Sequence, residues 1–146
     1  MYTIAGKTAG VGSTTLPCLS IYSPSTNGFV IREFAVWNMT NTSCVYRIAR
    51  LTSAGTPGTG LTEIEYAEDL RAPTATAFEP HTGTAPSVAT ASIRFMPIGA
   101  AIGAGYYWTW GGKGLVVPSG TANGVGLILA EGTGQILGYH IDWEEE

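Results

Sequence analysis

An alternation of apolar and polar side chains, with a period of two residues, recurs along this chain and limits what it can fold into. It is clearest in QILGYHIDW, residues 135–143, where the side chains expected to face inward are Leu137, Tyr139, Ile141 and Trp143. The residues between them, Gly138, His140 and Asp142, are then expected to face outward. No segment of helical length shows the 3.6-residue apolar period of an amphipathic helix. The pattern therefore predicts an all-β fold.

Several other segments are expected to be strands, and turn-forming residues separate them. Further candidates lie at 2–5, 16–22, 29–37, 44–51, 61–66, 88–96, 105–110, 114–117 and 125–130. About ten short strands with Gly, Pro, Ser and Asn between them are typical of a β-sandwich or barrel. The chain has 146 residues, which fits one domain of ordinary size. We therefore expect a single domain spanning 1–146.

Two segments depart from the simple pattern. In FVIREFAVW, residues 29–37, both faces are largely apolar, which predicts a strand covered on both sides. Residues 72–92 are rich in Ala, Thr and Pro and nearly uncharged, and loops of that length are usually functional or disordered. We expect a long extended loop that lies on a neighbouring surface. Its candidate partner-binding residues are Phe78, Pro80 and His81.

Charged residues are scarce. Asp, Glu, Lys and Arg make up 12% of the chain, against about 25% in a typical soluble domain. Either other subunits cover much of the surface, or a Thr-rich β surface needs few charges. The net charge of −4 and the scattered Lys and Arg residues argue against nucleic-acid binding, which needs clustered positive charge. The acidic run at 142–146 is expected to be a solvated tail.

Three further features bear on compartment, membrane and redox state. MYTIAGKTAG, residues 1–10, lacks a basic segment followed by an apolar core, so no signal peptide is predicted and synthesis is expected in the cytoplasm. The 18 uncharged residues between Arg94 and Lys113 include one proline and five glycines, which favours two buried strands with a turn over a membrane span. Cys18 and Cys44 are expected to be buried free thiols. A disulfide would require that their strands be neighbours.

The glycine-rich stretch 114–135 is predicted to form turns rather than a phosphate site. It has neither the G-x-x-x-x-G-K-[ST] pattern of a P-loop nor the G-x-G-x-x-G pattern of a dinucleotide site. Pro118 is expected to end a strand, and Asn123-Gly124 suits a type I′ turn. Residues 131–134 are expected to form the next turn. No cofactor is predicted.

Part of this stretch resembles the second motif of the cupin family, which has a jelly-roll fold. Gly112, Pro118 and Gly120 match the spacing of its Gly and Pro-x-Gly elements. Asn123 stands where that motif has a metal-binding His, and the companion His-x-His motif is missing. The resemblance therefore implies jelly-roll turn geometry. A metal site, which needs several converging ligands, is not predicted.

Two pairs of side chains have the chemistry for catalysis, and neither is predicted to perform it. Glu63 and Glu65 share one face of a predicted strand, roughly 6–7 Å apart, a distance compatible with glycoside hydrolysis. Nothing indicates an apolar pocket around either carboxyl group, and carboxylates follow at 68–69, so a solvated acidic edge is expected. His140 and Asp142 have no Ser or Cys nucleophile motif beside them. No catalytic residue is predicted.

The strand candidate at 105–110 carries Tyr106, Trp108 and Trp110 on one face. If they are exposed, these rings form a stacking platform for sugars or an anchor for a protein partner. Large aromatic residues also fill β cores, so the alternative is a ridge that packs inward between two sheets. These three residues are the main candidate partner-binding residues.

As a whole, the chain resembles the small jelly-roll decoration, or cement, proteins of tailed-phage capsids. The resemblance rests on the short length, the low charge, the Thr/Gly/Ala-rich β pattern, the segment 72–92 and the ending GLVVPSGTANGVGLILAEGTGQILGYHIDW. It implies one jelly-roll β-sandwich of about 8–10 short antiparallel strands. It also implies a non-enzymatic, trimeric virion protein bound to the major capsid protein on the outside of the shell. The alternative is a carbohydrate- or receptor-binding module of a phage fibre or spike, in which Trp108 and Trp110 contact a glycan.

Overall fold

Antiparallel β-sheet accounts for all the regular structure in the computed structural model, which describes residues 1–67 and 71–145. These residues contain twelve strands and no helix. The strands are β1 (Tyr2–Lys7), β2 (Leu19–Tyr22), β3 (Phe29–Asn38), β4 (Cys44–Leu51), β5 (Thr59–Gly60), β6 (Ile64–Glu65), β7 (Thr76–Glu79), β8 (Val88–Ile98), β9 (Gly105–Thr109), β10 (Leu115–Val117), β11 (Gly124–Glu131) and β12 (Leu137–Glu145). The predicted all-β sandwich is confirmed.

The strands form two sheets that enclose the main hydrophobic core. Sheet A has the order β10-β3-β12-β1-β6, and β9 also pairs with β3. Sheet B has the order β5-β7-β2-β11-β4-β8. Fully buried side chains from both sheets meet between them, and the largest are Trp143, Tyr46, Phe29, Phe34 and Leu19.

Strand partners are nested along the chain. β1 pairs with β12, β2 with β11, β3 with both β9 and β10, and β4 with β8. Successive members of this series alternate between sheet A and sheet B. The chain therefore folds as one long antiparallel hairpin that crosses repeatedly between the sheets, and loops that are distant in sequence meet at the same end of the sandwich.

Strand β3 contains a bulge that explains its apolar pattern. Ile31 lies opposite Trp143 and Glu33 lies opposite Asp142, so Arg32 is an extra residue in the ladder. Such an insertion reverses which side chains face the core. The core residues of β3 accordingly change from odd to even positions: Phe29, Ile31, Phe34 and Val36. Both faces of this segment therefore look apolar in the sequence chiefly because the core-facing positions shift at the bulge.

The glycine-rich stretch connects the two sheets. β10 ends immediately before Pro118, as predicted. The predicted type I′ turn at Asn123-Gly124 is wrong, because no residue other than glycine has a positive φ in the described part of the chain. Instead, the Asn123 N–H donates to the Gly120 carbonyl oxygen at 2.8 Å. A two-residue hairpin turn joins neighbouring strands of one sheet. It cannot join β10 to β11, because these two strands belong to different sheets.

Residues 72–92 do not form one extended loop, contrary to the prediction. They contain β7, which pairs with β2, and the start of β8, which pairs with β4. Ala75 and Ala77 are 2% and 0% exposed, so small uncharged side chains fill the core here. Burial therefore accounts for the lack of charge at Ala75 and Ala77, whereas much of the rest of the segment is exposed.

The acidic run at the end of the sequence is not a solvated tail. β12 lies between β1 and β3 in sheet A and extends to Glu145. Trp143 is fully buried, and the Glu145 side chain is 1% exposed. The Glu145 carboxylate accepts hydrogen bonds from the N–H groups of Thr74 and Ala75, both at 2.8 Å, and from the Thr74 hydroxyl at 2.7 Å. Glu146 lies outside the described residues.

The uncharged segment between Arg94 and Lys113 forms the end of β8, a loop and β9, as expected for two strands and a turn. β9 is an edge strand whose residues alternate between exposed and half-buried, so the expected burial is only partial. Within residues 1–67 and 71–145, no helix is long and apolar enough to cross a membrane.

Cys18 and Cys44 are free thiols, as predicted. β11 lies between β2, which follows Cys18, and β4, which begins at Cys44. The two residues are 0% and 5% exposed, and burial raises the pKa of both thiols.

Because a raised pKa leaves less reactive thiolate at pH 8, the native thiols are expected to react slowly. Iodoacetamide should label the native protein at least about 100-fold more slowly than the urea-unfolded protein, as measured by mass spectrometry. Labelling of the native protein at the unfolded rate would contradict the buried placement of both side chains.

Candidate functional site

Tyr106, Trp108 and Trp110 form an aromatic cluster where the two sheets meet along one side. β9 is an edge strand of sheet A, and β8, the edge strand of sheet B, contacts it. The Tyr106 and Trp108 rings are stacked, with centroids 5.7 Å apart and an interplanar angle of 1°. The Tyr106 hydroxyl donates to the Pro97 carbonyl oxygen at 2.9 Å. All three rings are half-buried against the main core.

Arg94 covers part of this aromatic cluster. Its guanidinium carbon lies 4.7 Å from the Trp108 ring centroid and 5.4 Å from that of Trp110, distances typical of cation–π contacts. The aromatic cluster is therefore neither an open platform nor part of the buried core. It closes one side of the sandwich. Arg94 would therefore compete with a sugar for the ring faces that it covers.

The other predicted partner-binding residues, Phe78, Pro80 and His81, do not form a shared surface. Phe78 is half-buried and packs edge-on against Tyr22, with ring centroids 6.3 Å apart. Pro80 is half-buried as well. His81 is 3% exposed, and its Nε2 lies 2.8 Å from the Ser20 hydroxyl oxygen. Burial lowers the pKa of His81, so this enclosed side chain is neutral and not available to a partner, which corrects the expectation of an exposed arm.

The predicted strand at 61–66, which carries Glu63 and Glu65, is shorter in the structure. β6 contains only Ile64 and Glu65, and the Glu63 carboxylate accepts a backbone N–H of β7 at 2.9 Å. Ile64 and Tyr66 are 59% and 58% exposed, whereas Glu63 and Glu65 are half-buried, so the apolar side chains of this segment face solvent. Glu68 and Asp69, the rest of the predicted acidic edge, lie outside the described residues.

One end of the sandwich is built from four loops without a charged residue. The nested strand pairing brings together residues 8–18, 39–43, 99–104 and 132–136, and none of them is Asp, Glu, Lys or Arg. The loop after β11 is the turn predicted at 131–134, and Gly132 within it has a φ of 73°, which favours glycine. We refer to these four loops as the uncharged end.

Apolar side chains project from the uncharged end. Val11, Met39 and Ile102 are 39%, 38% and 71% exposed. A groove of about 600 Å³ opens at this end, and the charged residue on its rim is Glu131. Exposed apolar side chains on a surface with few charges are typical of a protein interaction site.

Asn38 holds two loops of the uncharged end together. It is 0% exposed, at the end of β3. Its Nδ2 donates to the carbonyl oxygens of Thr42 at 2.6 Å and Gly99 at 3.0 Å. Its Oδ1 accepts from the N–H and the hydroxyl of Thr40, both at 2.9 Å. One buried amide therefore fixes the loop after β3 against the loop before β9.

The pair His140–Asp142, which is visible in the sequence, belongs to a larger polar group on the outer face of sheet A. The strand register places Glu33 opposite Asp142. His140 Nε2 lies 2.7 Å from Asp142 Oδ1. The Tyr66 hydroxyl donates to the other carboxylate oxygen of Asp142 at 3.0 Å, and the Tyr107 hydroxyl donates to Glu33. We refer to Glu33, His140 and Asp142 as the carboxylate–histidine cluster.

The two tyrosines at this cluster remain protonated donors. Hydrogen bonding to Glu33 raises the pKa of Tyr107 to about 12. Burial, and then the Asp142 carboxylate, raises the pKa of Tyr66. Nearby negative charge disfavours an ionised phenol. Asp142 itself is only 4% exposed, although it lies on the outward-facing side of β12.

Two surfaces therefore stand out among the described residues: the uncharged end and the carboxylate–histidine cluster. They lie on different parts of the sandwich, since one is made of loops and the other lies on the central strands of sheet A. Comparison of the chain with protein-family models, with curated proteins and with solved structures finds no match in any of the three.

Proposed function

We propose that this protein is a non-enzymatic structural protein of a phage virion, which binds the major capsid protein on the outside of the shell and stabilises the shell. The observation that carries the proposal is the uncharged end. A surface without charges can be buried against a partner with no cost of charge desolvation. The exposed side chains of Met39 and Ile102 would add apolar contact area.

The strand order supports the resemblance from which this function comes. β9 and β10 lie one after the other along the same edge of β3 and together act as one interrupted strand. Two four-stranded arrays result, β1-β12-β3-β9/β10 and β2-β11-β4-β8. Eight strands in two sheets with nested antiparallel partners are the arrangement expected of a jelly roll. We infer a jelly roll in which β5, β6 and β7 are additions at the sheet edges.

A long strand edge supports assembly into a homotrimer. β8 has eleven residues and lies at the edge of sheet B. Phe95 on this strand is 55% exposed, and the charged residue of the strand, Arg94, is turned onto the aromatic cluster. A long unpaired strand edge can pair with another chain. A trimer would cover such an edge.

Shell stabilisation would follow from mass action. A protein that binds the assembled shell but not free capsid subunits stabilises the assembled state by about 2.7 kcal/mol per site at a free concentration of 100 times Kd. The protein would be synthesised in the host cytoplasm and located on the capsid surface. This function involves binding alone, with no chemical reaction.

The test is binding of the purified protein to empty capsids of the phage that encodes it. We expect light scattering to give three times the mass of the chain, and we expect the protein to co-sediment with capsids. Met39→Asp and Ile102→Asp should each weaken capsid binding about ten-fold or more, because the interface would have to desolvate a carboxylate. Val116→Asp is the matched control, since Val116 is 45% exposed on β10, away from the uncharged end.

A monomer that does not bind capsids would overturn this proposal. The alternative function, a glycan- or receptor-binding module, depends on Trp108 and Trp110. The contacts of Arg94 with both rings count against it. A glycan array signal that Trp110→Ala abolishes would favour the alternative.

A further inference from the structure

Three side chains with metal-binding atoms converge in the carboxylate–histidine cluster. One ligand atom from each of Glu33, His140 and Asp142 lies within 4.8 Å of the others. Around a tetrahedral ion with bonds of about 2.1 Å, ligand atoms lie about 3.4 Å apart. The three side chains therefore need only small rotations to surround an ion, and the imidazole would exchange its hydrogen bond with Asp142 for a metal bond.

The backbone beneath the cluster is well supported. β3 and β12 are neighbours inside sheet A, with β9 and β10 on one side of the pair and β1 on the other. Glu33 and Asp142 are register partners beside the bulge. His140 is two residues from Asp142 on the same strand and therefore lies on the same face. Ligands on neighbouring central strands hold their spacing better than ligands on loops.

The cluster has more carboxylates than cationic groups. It contains two carboxylates, and among the described residues neither forms an ion pair with Lys or Arg. Asp142 is 4% exposed, and a buried carboxylate without a cation is costly. His140 is its partner at 2.7 Å. A bound divalent cation would neutralise both carboxylates.

The surroundings of the cluster match those of a metal site in two respects. Tyr66 and Tyr107 hydrogen-bond to Asp142 and Glu33, as outer-shell partners do when they orient metal ligands. A groove of about 370 Å³ is lined by Tyr107 and His140, with Gly105 and Ala35 beside them. One coordination position would face this groove and remain open to water or to a side chain of a bound protein.

We propose that Glu33, His140 and Asp142 bind one divalent first-row transition-metal ion of the zinc type. A set of one imidazole nitrogen and two carboxylate oxygens suits such ions. Calcium requires six to eight oxygen ligands, and magnesium favours oxygen in octahedral geometry, so neither is well matched. The three ligand residues lie on β3 and β12, outside the four loops of the uncharged end, and the proposal does not rest on the proposed capsid binding.

The experiment is a titration of the full-length, tag-free, chelator-treated protein with ZnCl2, followed by isothermal calorimetry. A parallel titration with CoCl2, followed by visible absorption, reports the ligand field of the bound ion. We expect one ion per chain, saturable binding and a rise in the unfolding temperature. Glu33→Gln and His140→Gln should each weaken Zn²⁺ binding by at least about 10- to 100-fold.

Glu131→Gln is the matched control, because Glu131 is an exposed carboxylate at the other surface, and it should bind Zn²⁺ as the wild type does. Circular dichroism of each variant confirms that it is folded. Glu33 is half-buried, so its substitution tests the site without removing the buried Asp142. Absence of saturable Zn²⁺ and Co²⁺ binding to the wild type, or equal binding by folded Glu33→Gln and His140→Gln variants, would overturn the proposal.

Discussion

Trp143→Ala is expected to lower the free energy of unfolding by about 3–5 kcal/mol. Trp143 is 0% exposed in the main core, and its ring stacks on Tyr2 with centroids 5.9 Å apart. The substitution removes the largest of the fully buried side chains and leaves a cavity between the sheets. Since a domain of this size is stable by about 5–15 kcal/mol, the loss is a large fraction of the total.

Urea unfolding followed by circular dichroism measures this change. Trp143→Phe is the matched control, because it retains an aromatic ring in the core and should cost markedly less than the alanine variant. An alanine variant that loses less than about 1 kcal/mol would show that this side chain does not fill the core as described.

Asn38→Asp is expected to lower the free energy of unfolding by about 3–5 kcal/mol. The substitution keeps the shape of the side chain and replaces the Nδ2 donor by an oxygen. That oxygen would face the carbonyl oxygens of Thr42 and Gly99, which now accept from Nδ2. It would also place a negative charge at a position that is 0% exposed. Repulsion and desolvation therefore act together.

The same unfolding assay measures this effect, and Asn41→Asp provides the control. Asn41 lies in the same loop and is exposed, so the identical chemical change should alter stability by no more than about 0.5 kcal/mol. Equal stability of the two variants would contradict the role of Asn38 in joining the loops of the uncharged end. A folded Asn38→Asp variant is also expected to bind capsids more weakly, because the loops that carry Met39 and Ile102 would lose their common anchor.

The sequence was sufficient to predict those parts of the structure that depend on local backbone geometry. The alternation in residues 135–143 identified the inward face of β12, and Leu137, Tyr139, Ile141 and Trp143 are all 3% exposed or less. Period-two exposure is a property of any strand with one buried face. Pro118 could likewise be placed at a strand end, because proline has no N–H to donate to a ladder.

The features that were missed depend on which strands pair. The bulge at Arg32 exists only relative to β12, and the connection at 118–123 differs from a hairpin turn because its two strands lie in different sheets. The segment 72–92, rich in Ala, Thr and Pro, has the composition of an irregular loop, yet β2 is available to pair with β7. No local sequence pattern indicates that a partner strand is available.

The candidate sites also combine features that the sequence predicts with features that depend on strand pairing. Tyr106, Trp108 and Trp110 were identified from their spacing, but their cover by Arg94 depends on how β8 meets β9. Glu33 and Asp142 are more than one hundred residues apart in the sequence, and only the register brings their carboxylates together. The lack of charge in the four loops can be read from the sequence, but their meeting at one end requires the topology.

The pairing of β1 with β12 has a consequence for how the protein is made. Tyr2 lies opposite Trp143, so the central ladder of sheet A cannot close until almost the whole sequence has left the ribosome. Folds dominated by such distant pairings cross a high entropic barrier and fold in about milliseconds to seconds, slower than helical domains of similar size. During synthesis, β2, β3 and β4 have no final partners from the second half of the chain, and their apolar faces are open to aggregation. We expect production in cells to depend on temperature and on chaperones more strongly than the stability of the finished sandwich would suggest.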